Sequence, residues 1–524
     1  MTKTKYKKVL IVIAIIAIVT LLFSFVANTF VESKIESALN DLPKSVKIDY
    51  SEIDVALWSG DVEILTPKIV ITGETTSKTI LNATLKTIEV KDLSYWDYLF
   101  NDEISVEELH INTLVAKYLH NPVVKNNDYK NGFLEQIKQV INVESITINN
   151  ADLLVSNYET DAVILSIPQL NFEVVNLEIN PEASKTKDKI TYGNFKLNTK
   201  SLKWATNAYD DILVDDIHFT NKNATFKGFK LKTKYSKSEY SSILNKERDH
   251  FNITIAELRL NDLNFGIDND EKFYFNSEKV HLKSPAAEIY RDKLVADDTS
   301  RKLLYGRMIR ELDFNLGLKS IEIENGKISY LEKVKVGEEA GRLDFTEMNA
   351  KILNLGNTFG DKETTIAIQT NFMKNSSLNV DWNFKVSDTT DQFMFKADLG
   401  VFNATQLAQF TNPNLNVDLT GELNQTYFTI SGDPNTSRID LKIKYDDFEV
   451  LILKKDGREK NNFLSTLVNL FVSKDSDEDK QNFRYGQSDQ VNRDVTKSVF
   501  NFIWLNVKDG LLSAIAGDGE MRTK

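Results

Sequence analysis

The chain has 524 residues, 41% of them hydrophobic and 10% aromatic, which is enough for a large buried surface and too apolar for a disordered tail. A net charge of −12 argues against a nucleic-acid partner, because phosphate binding needs a basic face. Cysteine is absent, which excludes disulfides, thiolate metal sites and cysteine nucleophiles, so burial and backbone pairing must hold the chain together.

At the N-terminus Lys3, Lys5, Lys7 and Lys8 precede an uncharged apolar run over 9–26. A helix of that length rises roughly 27 Å, close to the hydrocarbon thickness of a bilayer. Lysines before the run and none immediately after put the N-terminus in the cytoplasm. The competing reading is a cleaved signal peptide. The run is longer than such peptides carry, and Phe25 stands where the cleavage pattern wants a small residue. The chain is therefore expected to divide into a cytoplasmic basic tail (1–8), a transmembrane anchor (9–26), a β domain across the membrane (27–490), and a C-terminal amphipathic helix and tail (491–524).

Past Thr29 the pattern becomes strand-like. Phe229, Leu231, Thr233 and Tyr235 alternate with lysines. So do Val380, Trp382, Phe384 and Val386 with Asp381, Asn383 and Lys385, and Ile439, Leu441, Ile443 and Tyr445 with Asp440, Lys442 and Lys444. One apolar and one wet face favours antiparallel pairing over a parallel sheet buried on both sides. Helical patterns are few. They cover 132–142, 303–312, 463–472 and about 494–516, the last with Phe500, Ile503, Val507, Leu511 and Ile515 on one stripe. Asp494 or Thr496 is its expected cap and Gly517 its expected stop.

A degenerate unit recurs, apolar residues at positions one, four and six followed by polar residues. It runs Val106, Leu109, Ile111; then Val143, Ile146, Ile148; then Ile255, Leu258, Leu260; then Leu318, Ile321, Ile323. Asn149-Asn150 and Asn325-Gly326 follow two of these units and predict hairpin turns. The spacing is irregular, so no strict solenoid is implied. The helices are too few to cover so much half-apolar strand. The sheet must pack on another sheet, close into a barrel, or curl into a trough.

Motifs for chemistry are missing. His110, His120, His218, His250 and His281 fall in no metal-ligand spacing. Gly517 and Gly519 lack the third glycine and following helix of a dinucleotide loop. Asp475, Asp477 and Asp479 resemble the start of a calcium loop, but Lys480 stands where glycine is needed and Gly486 where the bidentate glutamate belongs. No catalytic residue, cofactor or metal is assigned, and an enzyme is not expected.

Three stretches resemble the AsmA-like family of Gram-negative envelope proteins. The first is the anchor followed by Leu57, Trp58, Ser59 and Gly60. The second spans 318–357, with Gly341, Arg342, Leu343, Asp344 and Phe345, then Asn349 and Ala350. The third is a closing element of Asp494, Lys497, Ser498, Phe500, Asn501, Trp504 and Gly510, preceded by the strand 439–445 and the helix 463–472. The resemblance covers the two ends and the 318–357 block. It implies a mostly β fold, an elongated, curled antiparallel sheet or β-groove with a few short helices after one N-terminal transmembrane helix. It also implies a single-pass inner-membrane protein with its bulk in the periplasm. The implied role is passive transfer of glycerophospholipid toward the outer membrane and outer-membrane biogenesis, with outer-membrane assembly factors as partners. The candidate lipid-groove residues are Ile146, Ile148, Leu258, Leu260, Ile321 and Ile323; ordinary sheet core is the alternative for each. The alternative for the whole chain is a membrane-tethered β scaffold without lipid cargo.

Overall fold

The computed structural model describes residues 32–33, 45–73, 78–101, 103–121, 139–181, 190–268, 272–452, 483–517 and 519. The expected anchor over 9–26, the helix over 463–472, the acidic loop at 475–479 and the 132–138 part of the first expected helix lie outside them. No helix among the described residues is long and apolar enough to cross a membrane. The fold is mostly β with a few short helices, as the alternation predicted. It divides into two compact units, residues 1–206 with 213–221, and residues 207–212 with 222–524.

The first unit opens with four chain segments that each break into two strands. They are β1 (Val46–Asp49) and β2 (Glu52–Ala56); β3 (Asp61–Leu65) and β4 (Lys68–Thr72); β5 (Thr79–Thr84) and β6 (Thr87–Leu93); and β7 (Glu103–Asn112) and β8 (Val115–His120). Two long strands follow, β9 (Val140–Asn157) and β10 (Val163–Ile179), then the short β11 (Ile190–Thr191) and β12 (Phe195–Ala205). One half of the sheet runs β2, β3, β6, β7, β9, and the other β1, β4, β5, β8, β9. β9 is continuous through both halves and carries β10, which carries β12. The unit boundary falls within β13 (Asp210–Thr220).

The second unit contains β14 (Ala224–Thr233), α1 (Lys237–Ile243), β15 (His250–Ile267), β16 (Phe273–Lys283), β17 (Ala286–Asp292) and α2 (Tyr305–Arg310). Next come β18 (Asn315–Lys333), β19 (Gly341–Gly356), β20 (Glu363–Phe372), β21 (Ser376–Lys385), β22 (Phe393–Leu399) and β23 (Phe402–Asn403). It ends with α3 (Ala408–Leu415), β24 (Val417–Gly432), β25 (Thr436–Ile452), β26 (Arg484–Asn492) and α4 (Val499–Ala516). Neighbours pair β14, β15, β16, β18, β19, β20, β21, β22, β24, β25, β26. The short α2 lies where the 303–312 pattern put it.

Four sequence expectations are corrected. Pairing is not purely antiparallel: β7 and β8 run parallel to β9, and β16 and β17 run parallel to β18. The connections over 121–139 and 293–314 are long enough for the crossover that parallel strands need. Val140, Ile141 and Asn142 belong to β9 rather than to a helix, their apolar residues pairing with β7 and β10. Asn149-Asn150 and Asn325-Gly326 are not hairpin turns, because β9 and β18 run straight through them.

The reason is a bulge in mid-strand. Asn150 and Asn325 take φ of 53° and 51°, the left-handed region that asparagine tolerates better than most residues. Ile148 pairs with Phe172 and Ala151 with Leu170, so β9 uses three residues where β10 uses two. Ile323 pairs with Ala350 and Gly326 with Met348 in the same way. The extra residue shifts the alternation by one and keeps the apolar side chains on one face across the bulge. β10 and β19 compensate at Gln169 and Glu347, both at φ 51°. Thr66, Thr113, Ser201, Asp262, Ser284 and Asp447 take the same conformation in or between other strands.

The fourth correction concerns α4. Its N-cap is Ser498, whose side chain accepts from the Asn501 amide, and not Asp494 or Thr496. Asp494 instead accepts from the Thr496 amide and hydroxyl in the preceding turn, at 2.9 and 2.6 Å. Gly517 does close the helix. The buried line is Val499, Phe502, Asn506, Gly510 and Ala514, while Phe500 is 60% exposed. Small residues face inward because the helix rides directly on β26. A Cβ on Gly486 would sit 2.1 Å from the Gly510 carbonyl oxygen. Buried Asn506 is satisfied by the Ser437 hydroxyl at 2.8 Å and by donating to the Phe502 carbonyl at 2.8 Å.

Candidate functional site: paired apolar rows

Residues directly opposite each other in register share a face of the sheet. In the second unit the register therefore joins Ala224, Leu260, Val280, Ile321, Ile352, Ile366, Trp382, Phe395, Ile430 and Ile439 into one cross-strand row. Beside it runs Phe226, Leu258, Leu282, Ile323, Ala350, Ile368, Val380, Ala397, Phe428 and Leu441. No polar residue interrupts either row. At about 4.8 Å per strand the stripe is roughly 43 Å long.

The first unit repeats the arrangement. Ile53, Ile64, Ile88, Ile111, Ile148, Phe172 and Leu197 form one row. Val55, Val62, Val90, Leu109, Ile146, Val174 and Phe195 form the other. The six candidate residues all lie on these rows, Ile146 and Ile148 in the first unit and Leu258, Leu260, Ile321 and Ile323 in the second. Leu260 and Ile321 meet through Val280, and Leu258 and Ile323 through Leu282. The sequence reading missed Val280 and Leu282, although their period-two alternation with Lys279, His281 and Lys283 was a usable signal.

Burial changes along the second unit's stripe. Leu258, Leu260, Leu282, Ile323, Ile352, Ile366 and Ile368 are half-buried, while Ala224, Val280, Ile321 and Ala350 on the same rows are buried. From Val380 and Trp382 onward all but Phe428 are closed over, reaching 0% exposure at Ile430 and Ile439. The cover at that end is the protein itself: α4 and α2 pack there, with Phe502 against Phe393 at 6.1 Å and Tyr305 against Trp382 at 5.4 Å. Arg310 pins α2 by donating to Asp391 at 2.7 Å and to the Val386 and Asp388 carbonyls at 2.8 Å each.

The reverse face of the same strands is charged. Arg259, His281, Glu322, Lys351, Ala367, Asp381 and Lys396 lie in register. An open depression of about 590 Å³ lies over this face, lined by His281, Glu322, Glu324, Lys351, Gln369 and Asp381 among others. Lys279 lies 2.7 Å from Glu322 and holds its carboxyl below the usual range. His281 reaches Glu324 at 3.1 Å. Of the other strand histidines, His110 pairs with Glu108, His218 with Asn198 and Asp216, and His250 with the Tyr235 carbonyl, while His120 lies beside the Tyr118 ring. Among the described residues no group of three or more His, Asp or Glu is placed to hold a metal ion.

The bulges are tied across strands by the same clamp in both units. The Asn150 amide donates to Asn171 Oδ1 at 3.1 Å, and Asn171 Nδ2 donates to the Gln169 carbonyl at 3.3 Å. The Asn325 amide donates to Asn349 Oδ1 at 3.2 Å, and Asn349 Nδ2 to the Glu347 carbonyl at 3.2 Å. Each clamp satisfies a backbone donor that the bulge would otherwise leave without a ladder partner. The arrangement as a whole offers apolar contact on one face and charge on the other. No protein-family model matches the chain, and no curated protein matches it.

Proposed function

We propose that the chain is an AsmA-like envelope protein that binds phospholipid acyl chains along the paired rows. Residues 9–26 anchor it in the inner membrane and the β units stand in the periplasm. The observation that carries this reading is the unbroken pair of apolar rows, on which Leu258, Leu260, Leu282, Ile323, Ile352, Ile366 and Ile368 stay half-buried. An acyl chain seated there trades one apolar surface for another. At about 0.8 kcal/mol per CH₂, the same chain could not cross water at a useful rate. Headgroups stay at the wet rim, so the sheet acts as a trough and transfer toward the outer membrane is passive. Outer-membrane assembly factors are the partners this role calls for.

A second reading, a β scaffold without cargo, is favoured by the closed end of the stripe, where α2 and α4 fill the face with the protein's own side chains. Site-specific photocrosslinking separates the two. A benzophenone residue at Ile323 or Leu258, in the full chain expressed in a Gram-negative host, is expected to capture phospholipid. The same probe at Glu322, on the charged face, is not. Equal capture on both faces, or none at either, would overturn the lipid reading.

A further inference from the structure

Two loops of the first unit carry large aromatic side chains into solvent. Trp58 lies between β2 and β3 and is 72% exposed; Trp96, Tyr98 and Phe100 lie between β6 and β7 and are 68%, 44% and 66% exposed. The loops are neighbours. The Leu93 amide donates to the Gly60 carbonyl at 3.0 Å, and a Cβ on Gly60 would lie 2.8 Å from the Leu93 backbone. The second loop includes one π-helical turn, Asp97–Asn101, which brings Trp96 against Phe100 with ring centroids 4.3 Å apart and the planes tilted by 39°. Asn101 donates to Asp97 at 2.9 Å and stiffens that turn. Solvent-facing aromatics this concentrated are costly in water.

We infer that these two loop tips dock on the surface of a zwitterionic lipid bilayer. Aromatic rings with an apolar body and a polar edge are the side chains that settle at the headgroup level. The carboxylates of Asp61, Asp92 and Asp97 flank the tips, with Lys91 beside Asp61, and disfavour an anionic partner. The apolar run ends at Val26 and β1 begins at Val46. The anchor proposed above would hold this unit beside a bilayer, and the inference rests on that reading for this proximity. The inference does not depend on whether the rows carry lipid.

The absence of cysteine makes the test direct. Ser59→Cys in the full chain takes an environment-sensitive fluorophore at the loop tip, and the protein is reconstituted in phosphatidylcholine vesicles. Flotation reports the anchor separately. The label is expected to be blue-shifted and quenched by lipids carrying a nitroxide near the headgroup. Trp96→Ala with Phe100→Ala should weaken that quenching about threefold, and added anionic lipid should not strengthen it. A label open to aqueous iodide and untouched by the nitroxide lipids in floated protein overturns the inference. So does nitroxide quenching that the double variant leaves unchanged. A blue shift that grows with protein concentration without lipid quenching points instead to a second copy of the chain, and also overturns it.

Discussion

The closure of the stripe by α4 rests on a pair of glycines with opposite sensitivities. A Cβ at position 486 would meet the Gly510 carbonyl oxygen at 2.1 Å, the Ala514 amide nitrogen at 2.6 Å and the Ala514 Cβ at 2.9 Å. A carbon–oxygen contact settles near 3.3 Å, so the helix must retreat by roughly 1.2 Å. Its backbone cannot yield locally, because the clashing atoms are the helix itself. Overpacking of this kind costs about 1–3 kcal/mol, and G486A should lose that much stability. At Gly510 the atoms nearest a Cβ would be Ile439 Cδ1 at 3.1 Å and Leu441 Cβ and Cδ1 at 3.2 and 3.3 Å. Those are mostly side-chain tips that rotate aside, and alanine improves a helix interior by about 1 kcal/mol over glycine. G510A should therefore stay within about 1 kcal/mol of the parent. Denaturant midpoints followed by far-ultraviolet circular dichroism measure both, and hydrogen exchange of the α4 amides locates the change. G486A should speed exchange in α4 and uncover Ile430 and Ile439, now fully buried. If G486A matches the parent in midpoint and in α4 exchange, the tight helix–strand approach is not what closes the stripe.

Three further outcomes follow from named groups. N349A removes the acceptor that holds the Asn325 amide at 3.2 Å and should cost about 1 kcal/mol, read from the denaturant midpoint, with N171A matching it in the first unit. R310L leaves Asp391, whose side chain is 4% exposed, without its cation, and should cost about 3–5 kcal/mol; R310L with Asp391→Asn should recover only part of that loss in the same assay, because asparagine tolerates the left-handed φ of 54° but the Val386 and Asp388 carbonyls still lack their donor. Burial pushes the Tyr240 phenol up to about 12 from an ordinary value of 10.0. Its folded value lies above its unfolded one, so the neutral form's stabilisation is complete below pH 10 and fades as pH rises toward 12, by on the order of 2 kcal/mol. Thermal unfolding across that window should show Y240F losing less stability than the parent.

The apolar stripe was legible in the sequence because alternation is a property of single strands. Val380, Trp382 and Phe384 announce their face without knowing their neighbours, and so do Ile439, Leu441 and Ile443. The bulges were not legible, for a physical reason. The residues that tolerate a left-handed backbone, Asn150 and Asn325 among them, are the same ones that build hairpin turns. Whether the chain reverses or continues is decided by the partner strand, where Asn171 and Asn349 supply the capping oxygen, and those lie 21 and 24 residues away. The stripe of α4 was read in part: Ile503, Leu511 and Ile515 do pack on the core, but the most buried line runs through Asn506, Gly510 and Ala514, which a search for large apolar residues passes over. The parallel pairs were invisible because a strand exposed on one face alternates identically whichever way its neighbour runs.

The two clamps belong to a larger repetition that bears on how such a stripe can be built. In the first unit the Thr113 amide donates to the Asn149 carbonyl at 2.9 Å and the Asp152 amide to the Leu114 carbonyl at 2.7 Å. In the second unit the Ser284 amide donates to the Glu324 carbonyl and the Lys327 amide to the Pro285 carbonyl, at 2.8 Å each. Thr113 and Ser284 both take left-handed φ, and each sits where a strand parallel to the clamped one is interrupted. One module thus occurs twice: an interrupted strand, a crossover, a bulged strand running parallel to it, and a second bulged strand returning. A strand of eighteen or nineteen residues, as in β9 and β18, would accumulate twist along its length and carry its two ends onto different directions. A bulge adds a bend at a chosen place while preserving which side chains face inward. Placing one in each long strand of the module at matched register, with the Asn150 and Asn325 amides capped from the next strand, bends those strands without breaking either row. The cost is one left-handed residue in β9 and in β18, and two in β10 and in β19, where Asn176 and Asn354 join Gln169 and Glu347. The gain is an apolar face whose extent grows with each added strand, so a stripe of either length found here arises from the same local rule.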